Sequence, residues 1–159
     1  MQDFAARFRD AFAADLAAAP PLTLRQADAI DSYGSASARD STLDAVTDRY
    51  LEKYAAGLAH LDPASWRHYL PAFVEFTVRN LGSPTIAVGS LIESLRPPDR
   101  IPPRLASLTE TQETLVREFL ELLAFSAEST WQAEACQALE EWWVENPLYR
   151  AKAGETGAA

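Results

Sequence analysis

The stretch Leu61-Asp62-Pro63-Ala64-Ser65-Trp66-Arg67-His68-Tyr69-Leu70-Pro71-Ala72-Phe73 decides how this chain reads. It is the densest run of aromatic and apolar residues, and its prolines fix the backbone at two points. Asp62-Pro63 reads as a helix start: Asp caps the orphan N–H groups, and Pro is pre-set for the first helical position. A short turn then runs through Trp66 and Tyr69. Pro71 has no N–H and its ring clashes with the Arg67 carbonyl, so the turn is expected to end or kink there. Leu70, just before it, is biased away from the α region. Pro71 is expected to open a second helix with Phe73, Val74, Thr77 and Leu81 on one face, stopping near Gly82. The outcome expected is a bent pair of short helices. Burial of Trp66, Leu70 and Phe73 would contribute on the order of 2 kcal/mol each.

Upstream, Phe4, Phe8, Ala11, Phe12 and Leu16 share one face of a predicted amphipathic helix over 2–18, which Pro20-Pro21 stops. Thr23 caps a two-turn helix that Gly34 closes. Asp28 and Asp31 lie three apart on that helix and share a face. Paired carboxylates suit acid–base or metal work, but no histidine or third carboxylate is near in sequence, so a solvated face is the plainer reading. A small polar loop covers 35–41. A long helix is expected over about residues 42–60, with Leu43, Val46, Tyr50, Tyr54, Leu58 and Leu61 as its apolar stripe.

Downstream, Val88, Leu91, Ile92 and Leu95 favour a helix over 83–95 despite the strand-like Ile86-Ala87-Val88. Residues 96–104 hold four prolines and three arginines (Arg96, Arg100, Arg104). Extended polyproline geometry is expected there, as a surface connector with its arginines near acidic helices. Thr109 and Gln112 form a capping box for a helix burying Leu115, Phe119, Leu122 and Leu123. After a break at 126–130, a last helix carries Trp131, Ala135, Leu139 and Trp142 to Asn146-Pro147.

The fold class expected is all-α: one compact domain over 1–150 of about six or seven helices with a proline-rich connector, followed by a flexible tail at 151–159. The 159 residues are 48% hydrophobic and carry a net charge of −9. That field repels nucleic acid. No apolar run is long enough to span a membrane. Cys136 is the single cysteine, so no intrachain disulfide forms. A cytoplasmic setting is expected. The charge is concentrated: residues 109–145 hold nine glutamates against one base, Arg117.

Chemistry-bearing motifs are sparse. His60 and His68, eight apart, match no metal-ligand spacing, and either is within reach of Asp62 only by folding. Cys136 has no cationic activator near in sequence and reads as a buried inert thiol. There is no nucleophile elbow and no phosphate-binding glycine loop. Accordingly no catalytic residue, no metal and no cofactor is assigned.

Two stretches carry a resemblance. LTLRQADAIDSYGS, 22–35, and LAHLDPASWRHYLPAF, 58–73, followed by Leu108-Thr109 through Gln112, resemble an uncharacterised bacterial family of unknown function. The resemblance covers about residues 2–126. It implies a small cytoplasmic bacterial protein and no catalytic residues.

The function expected is that of a non-catalytic protein-binding module, immunity-like, antitoxin-like or regulatory, whose acidic surface suits a basic protein partner. Glu134, Glu141 and Glu145, at i, i+7 and i+11, are expected to share its exposed helix face. The alternative is a small-ligand-binding protein or enzyme with a pocket around Trp66, Arg67, His68 and Tyr69, on which Asp28 or Asp31 converges.

Overall fold

A computed structural model of the chain describes residues 2–150, and the expected tail at 151–159 lies outside the described residues. Among the described residues there is no strand, and six α-helices have seven residues or more. The fold is all-α.

The N-terminal helix is not continuous over 2–18. Helix α1, Gln2–Ala11, and the single turn α2, Ala13–Leu16, are separated at Phe12, whose ψ of 13° leaves helical geometry. Phe8 and Phe12 remain in the core with rings stacked 4.9 Å apart. Past the break, Asp15 is drawn to Arg67, and that ion pair sets the direction of α2.

Helix α3, Leu24–Asp31, starts as expected on Thr23, which forms a full capping box with Gln26. Its end is a Schellman closure: Tyr33 N–H donates to Ile30 O at 3.2 Å and Gly34 N–H to Ala29 O at 2.8 Å. The left-handed residue is Tyr33, with φ of 53°, and Gly34 follows it.

The single long helix expected over 42–60 does not exist. The chain makes α4, Asp48–Lys53, and then a 3-10 helix, Ala55–His60. Thr47 caps α4 by accepting from Tyr50 N–H at 3.2 Å, so the helix starts about six residues late. Leu43 and Val46 are exposed and belong to no core stripe. Gly57 lets this 3-10 helix approach α3 closely. A Cβ there would strike the Leu24 carbonyl oxygen and sit 2.8 Å from Asp28 N. The 3-10 helix is thus pressed against the α3 backbone, at a distance only glycine permits.

Helix α5, Pro63–Arg79, is one element rather than a bent pair, with Pro71 inside it. The Asp62 carboxylate caps it, accepting from Ala64 N–H and Ser65 N–H at 3.0 Å each. An interior proline costs about 3 kcal/mol. Here Trp66, Leu70 and Phe73 are all completely buried on either side of Pro71. Three such burials, at about 2 kcal/mol each, outweigh that cost.

Helix α6, Ile86–Ser94, is capped by Thr85, so the strand-like triplet is helical. The proline segment is folded, not extended, and its peptide bonds Pro97-Pro98 and Ile101-Pro102 are cis. It winds around the Asp99 carboxylate, which accepts from Arg100, Arg104 and Ala106 N–H at 2.8 Å each and from Leu105 N–H at 2.9 Å. Burial raises the Asp99 carboxyl's pKa, but these four donors together hold it below the usual range. A 3-10 turn, Leu105–Ser107, leads to α7, Glu110–Phe125, which opens on the predicted Thr109–Gln112 box. Helix α8, Gln132–Ala138, continues into a π-helical turn, Leu139–Trp143, three residues short of the expected end.

Helix α5 lies centrally, against α1, α2 and α6. The pair of α3 and the 3-10 helix stacks on α6 from one side, while α7 and α8 close the other. The buried side chains form one contiguous cluster.

Candidate functional site

The four consecutive candidates on α5 fan out around the helix and no one pocket gathers them: His68 and Tyr69 border a hollow of about 280 Å³ that neither Trp66 nor Arg67 lines. Trp66 points inward, its Nε1–H donating to Ser94 Oγ at 3.2 Å. Tyr69 also points inward, accepting from Leu24 N–H at 3.2 Å. Arg67 faces α2, donating to Asp15 at 2.8 Å and to Ser107 Oγ at 2.6 Å. His68 Nδ1 lies 3.0 Å from the Asp15 carbonyl oxygen; a carbonyl only accepts, so Nδ1 carries the proton. The buried Gln112 completes this group with bonds to Ala11 O and Asp15. The cluster is a lock holding α2, α5 and α7 together.

Asp28 and Asp31 do not converge on it. They stand on α3, and the 3-10 helix brings His60 there: its Nε2 is 2.9 Å from Asp31 Oδ1. Neither histidine pairs with Asp62, which is occupied as a cap. Burial, then the neighbouring Asp31, raises the Asp28 carboxyl above its ordinary pKa. The missing signal for His60–Asp31 was Gly57, whose bare backbone permits the close crossing.

The three glutamates do not share an exposed face. Glu134 is exposed in the first turn of α8, and Glu145 lies beyond the π-helical turn. Glu141 is buried, at 7% exposure, in a two-pronged pair with Arg96 at 2.8 Å on both oxygens. Arg96 holds the Glu141 carboxyl below the usual range. The pair is the predicted meeting of connector arginine and acidic helix, turned inward. Cys136 is half-buried rather than buried. Among the described residues no group of three or more His, Cys, Asp or Glu is placed to hold a metal ion. No described helix is long and apolar enough to cross a membrane.

The site that sequence reasoning missed is a half-open cleft of about 580 Å³ between the 3-10 helix, α6 and the proline loop. Small residues make its walls: Ala55, Ala56 and Ala59 on one side, Gly89 and Ser90 on the other. Pro97, Pro98, Arg100 and Arg104 supply the loop side, and Asp31 and Glu93 also line it. Most of these charges are already engaged: Asp31 with His60, Arg96 with Glu93 and Glu141, Asp99 with backbone N–H groups.

Arg104 differs from all of them. It is 6% exposed and makes no ion pair among the described residues. One nitrogen, Nη1, donates to Leu58 O at 2.8 Å, and the guanidinium lies 5.6 Å over the Trp66 ring. Its Nε is buried without a partner. Desolvation, helped by Arg100, pushes its pKa down to about 10. On its far side the proline loop borders a second, smaller hollow lined by Pro97, Pro98, Glu141, Trp142 and Tyr149.

No curated protein and no solved structure matches the chain. A family model matches residues 1–147, nearly all of the described fold and both hollows apart from Tyr149. That bears out the resemblance to an uncharacterised family: the chain belongs to the family of unknown function DUF6714.

Proposed function

We propose that the protein works by binding a protein partner, without catalytic chemistry of its own, and that the contact surface is the proline loop with the two hollows beside it. The observation that carries this reading is Tyr33. It is 100% exposed and sits at a φ of 53°. That backbone costs a non-glycine residue about 1–2 kcal/mol, which the two hydrogen bonds closing α3 offset, and it leaves the ring in water. A fully exposed tyrosine is a residue type that anchors protein contacts, which supports this reading.

Tyr33 lies two residues past the cleft residue Asp31, and other large apolar residues are exposed next in sequence to lining residues. Ile30 is exposed beside the cleft residue Asp31, and Ile101 is 100% exposed beside the cleft residue Arg100. Tyr149 is exposed at the second hollow, and Leu148 before it is exposed too. Exposed apolar residues clustered around concave surface mark interaction sites, whereas scattered ones do not. Glu110, Glu128, Glu134, Glu140 and Glu145 are exposed without an ion pair among the described residues. They favour a partner with a basic surround, drawn in by long-range attraction. A cytoplasmic setting goes with this reading, since the one cysteine is a free thiol.

The test compares capture from a native extract by wild type and by the double variant Tyr33→Ser/Ile101→Ser. Both positions are fully exposed, so the variant is expected to fold and melt like wild type. Loss of the captured protein is the expected result. Equal capture by both proteins refutes the surface.

A further inference from the structure

We infer that the floor of the cleft is an anion site, in which Arg104 and Arg100 together receive a carboxylate or phosphate group. The inference deepens the binding reading and rests on it in taking this cleft as the site.

A guanidinium is the side chain least often buried without compensation, because removing a charge from water costs several kcal/mol unless a counter-charge replaces the lost hydration. Every other buried or half-buried arginine here has its carboxylate. Arg25 has Asp44, Arg67 has Asp15, and Arg96 has Glu141. Arg104, 94% removed from solvent, has one carbonyl and one aromatic face. Asp99, five residues earlier on the same loop, is turned to four backbone N–H groups and accepts nothing from the guanidinium, so it acts on Arg104 only through space. Of the three nitrogens on this rigid fork only Nη1 has a hydrogen-bond acceptor; Nε is sealed in the core, which leaves Nη2 as the nitrogen that can meet an oxyanion from the cleft.

Arg100 supplies the second cation. It lines the same cleft, is exposed, and makes no side-chain hydrogen bond or ion pair among the described residues. Two arginines without an ion pair thus stand on one loop of the cleft, while its other charged residues, Asp31, Glu93, Arg96 and Asp99, are held by partners within the fold. The walls opposite are alanine methyls and a glycine, which suit a small apolar body behind the anionic group. Arg–carboxylate and Arg–phosphate contacts use the same fork geometry, so the two sources are told apart by titration and not by shape.

The experiment follows the arginine Nε–Hε signals of the 15N-labelled full chain. Sodium phosphate and sodium acetate are titrated separately, with sodium chloride at matched ionic strength as the reference. The expected result is a saturable displacement of the Arg104 signal by one or both oxyanions, and the stronger response identifies the source. Arg104 itself supports Leu58 and Trp66, so the variant used is Arg100→Gln, whose side chain supports nothing in the fold. It should keep the wild-type backbone spectrum and bind the oxyanion about fivefold more weakly, as loss of one charge-assisted contact requires. An Arg104 signal that moves no further than in chloride overturns the inference, and so does an Arg100→Gln titration identical to wild type. If Tyr33→Ser/Ile101→Ser loses its partner while Arg104 ignores both anions, the anion site falls and the protein-binding surface stands. If that variant keeps its partner while Arg104 responds, the anion site stands and the protein surface falls.

Discussion

Replacing Asp44 with Asn tests what holds the loop between α3 and α4. The Asp44 carboxylate receives Arg25 on both oxygens at 2.9 Å, Tyr50 O–H at 3.3 Å and Asp40 N–H at 2.9 Å. Arg25 also reaches Ser37 Oγ at 3.0 Å and Ala38 O at 3.1 Å, so one ion pair pins the polar loop that has no core of its own. Both side chains are almost fully buried, at 10% and 4% exposure. Removing one partner of a buried pair costs about 3–5 kcal/mol. Arg25 keeps its Ser37 and Ala38 acceptors, which places the cost near the low end, about 3 kcal/mol. For a chain of this size that lowers Tm by roughly 6–12 °C. The effect is also pH-dependent. Burial raises the Asp44 carboxyl's pKa, but Arg25 and the Asp40 N–H hold it below its ordinary value. A depressed carboxylate stabilises the fold above its unfolded pKa, about 3.9, and that stability is lost as pH falls through the folded value. Asp44→Asn should therefore melt lower than wild type at neutral pH, and the gap should close in acid, where the wild type is protonated too. Thermal melts across that range decide it. A neutral-pH gap under about 2 °C refutes the clasp, because a shift that small corresponds to under 1 kcal/mol. A gap that persists undiminished in strong acid refutes the electrostatic account. The exposed pair Arg7–Glu118 is the control, and Glu118→Gln should change stability by less than about 0.5 kcal/mol.

Gly57→Ala should destabilise by at least about 3 kcal/mol, because its Cβ meets backbone atoms of α3 that cannot step aside. Urea unfolding measures it, and an unchanged midpoint would mean that the two helices sit further apart. Trp66→Ala should cost roughly 3–5 kcal/mol, as expected of an entirely buried side chain that also carries a Ser94 bond and the Arg104 contact. A melting temperature unchanged within error would place Trp66 outside the core.

What the sequence revealed and what it hid divide along one physical line. Local chemistry was legible wherever a side chain acts on its own backbone. Asp62 before Pro63, Thr23 and Thr109 each start a helix at the expected residue, because a cap needs only its neighbours. Burial that depends on distant packing was not. Pro71 reads as a breaker, and only the complete burial of Trp66, Leu70 and Phe73 carries the helix through it. The stripe from Leu43 to Leu61 reads as one helix, yet Thr47 and Gly57 divide its residues between solvent, α4 and a 3-10 helix.

The candidate site followed the same line. Glu141 and Arg104 look alike in sequence, a charged residue in an acidic helix and another in a proline-rich connector. Both are buried, and only three-dimensional placement separates them. Glu141 meets Arg96 at 2.8 Å and is satisfied, which makes it structural. Arg104 meets a carbonyl and a tryptophan face and keeps a bare Nε. Periodicity cannot signal this, because a proline-rich loop has no periodic face, and charge cannot, because the arginine's own neighbour in sequence space, Asp99, is occupied by the backbone. A buried charge that the fold leaves unmatched is costly in isolation, and it is kept at lower cost when something outside the chain completes it. Internal contacts account for Glu141 and for the Trp66–Tyr69 run, whereas Arg104 is, among the described residues, the buried arginine without a carboxylate partner.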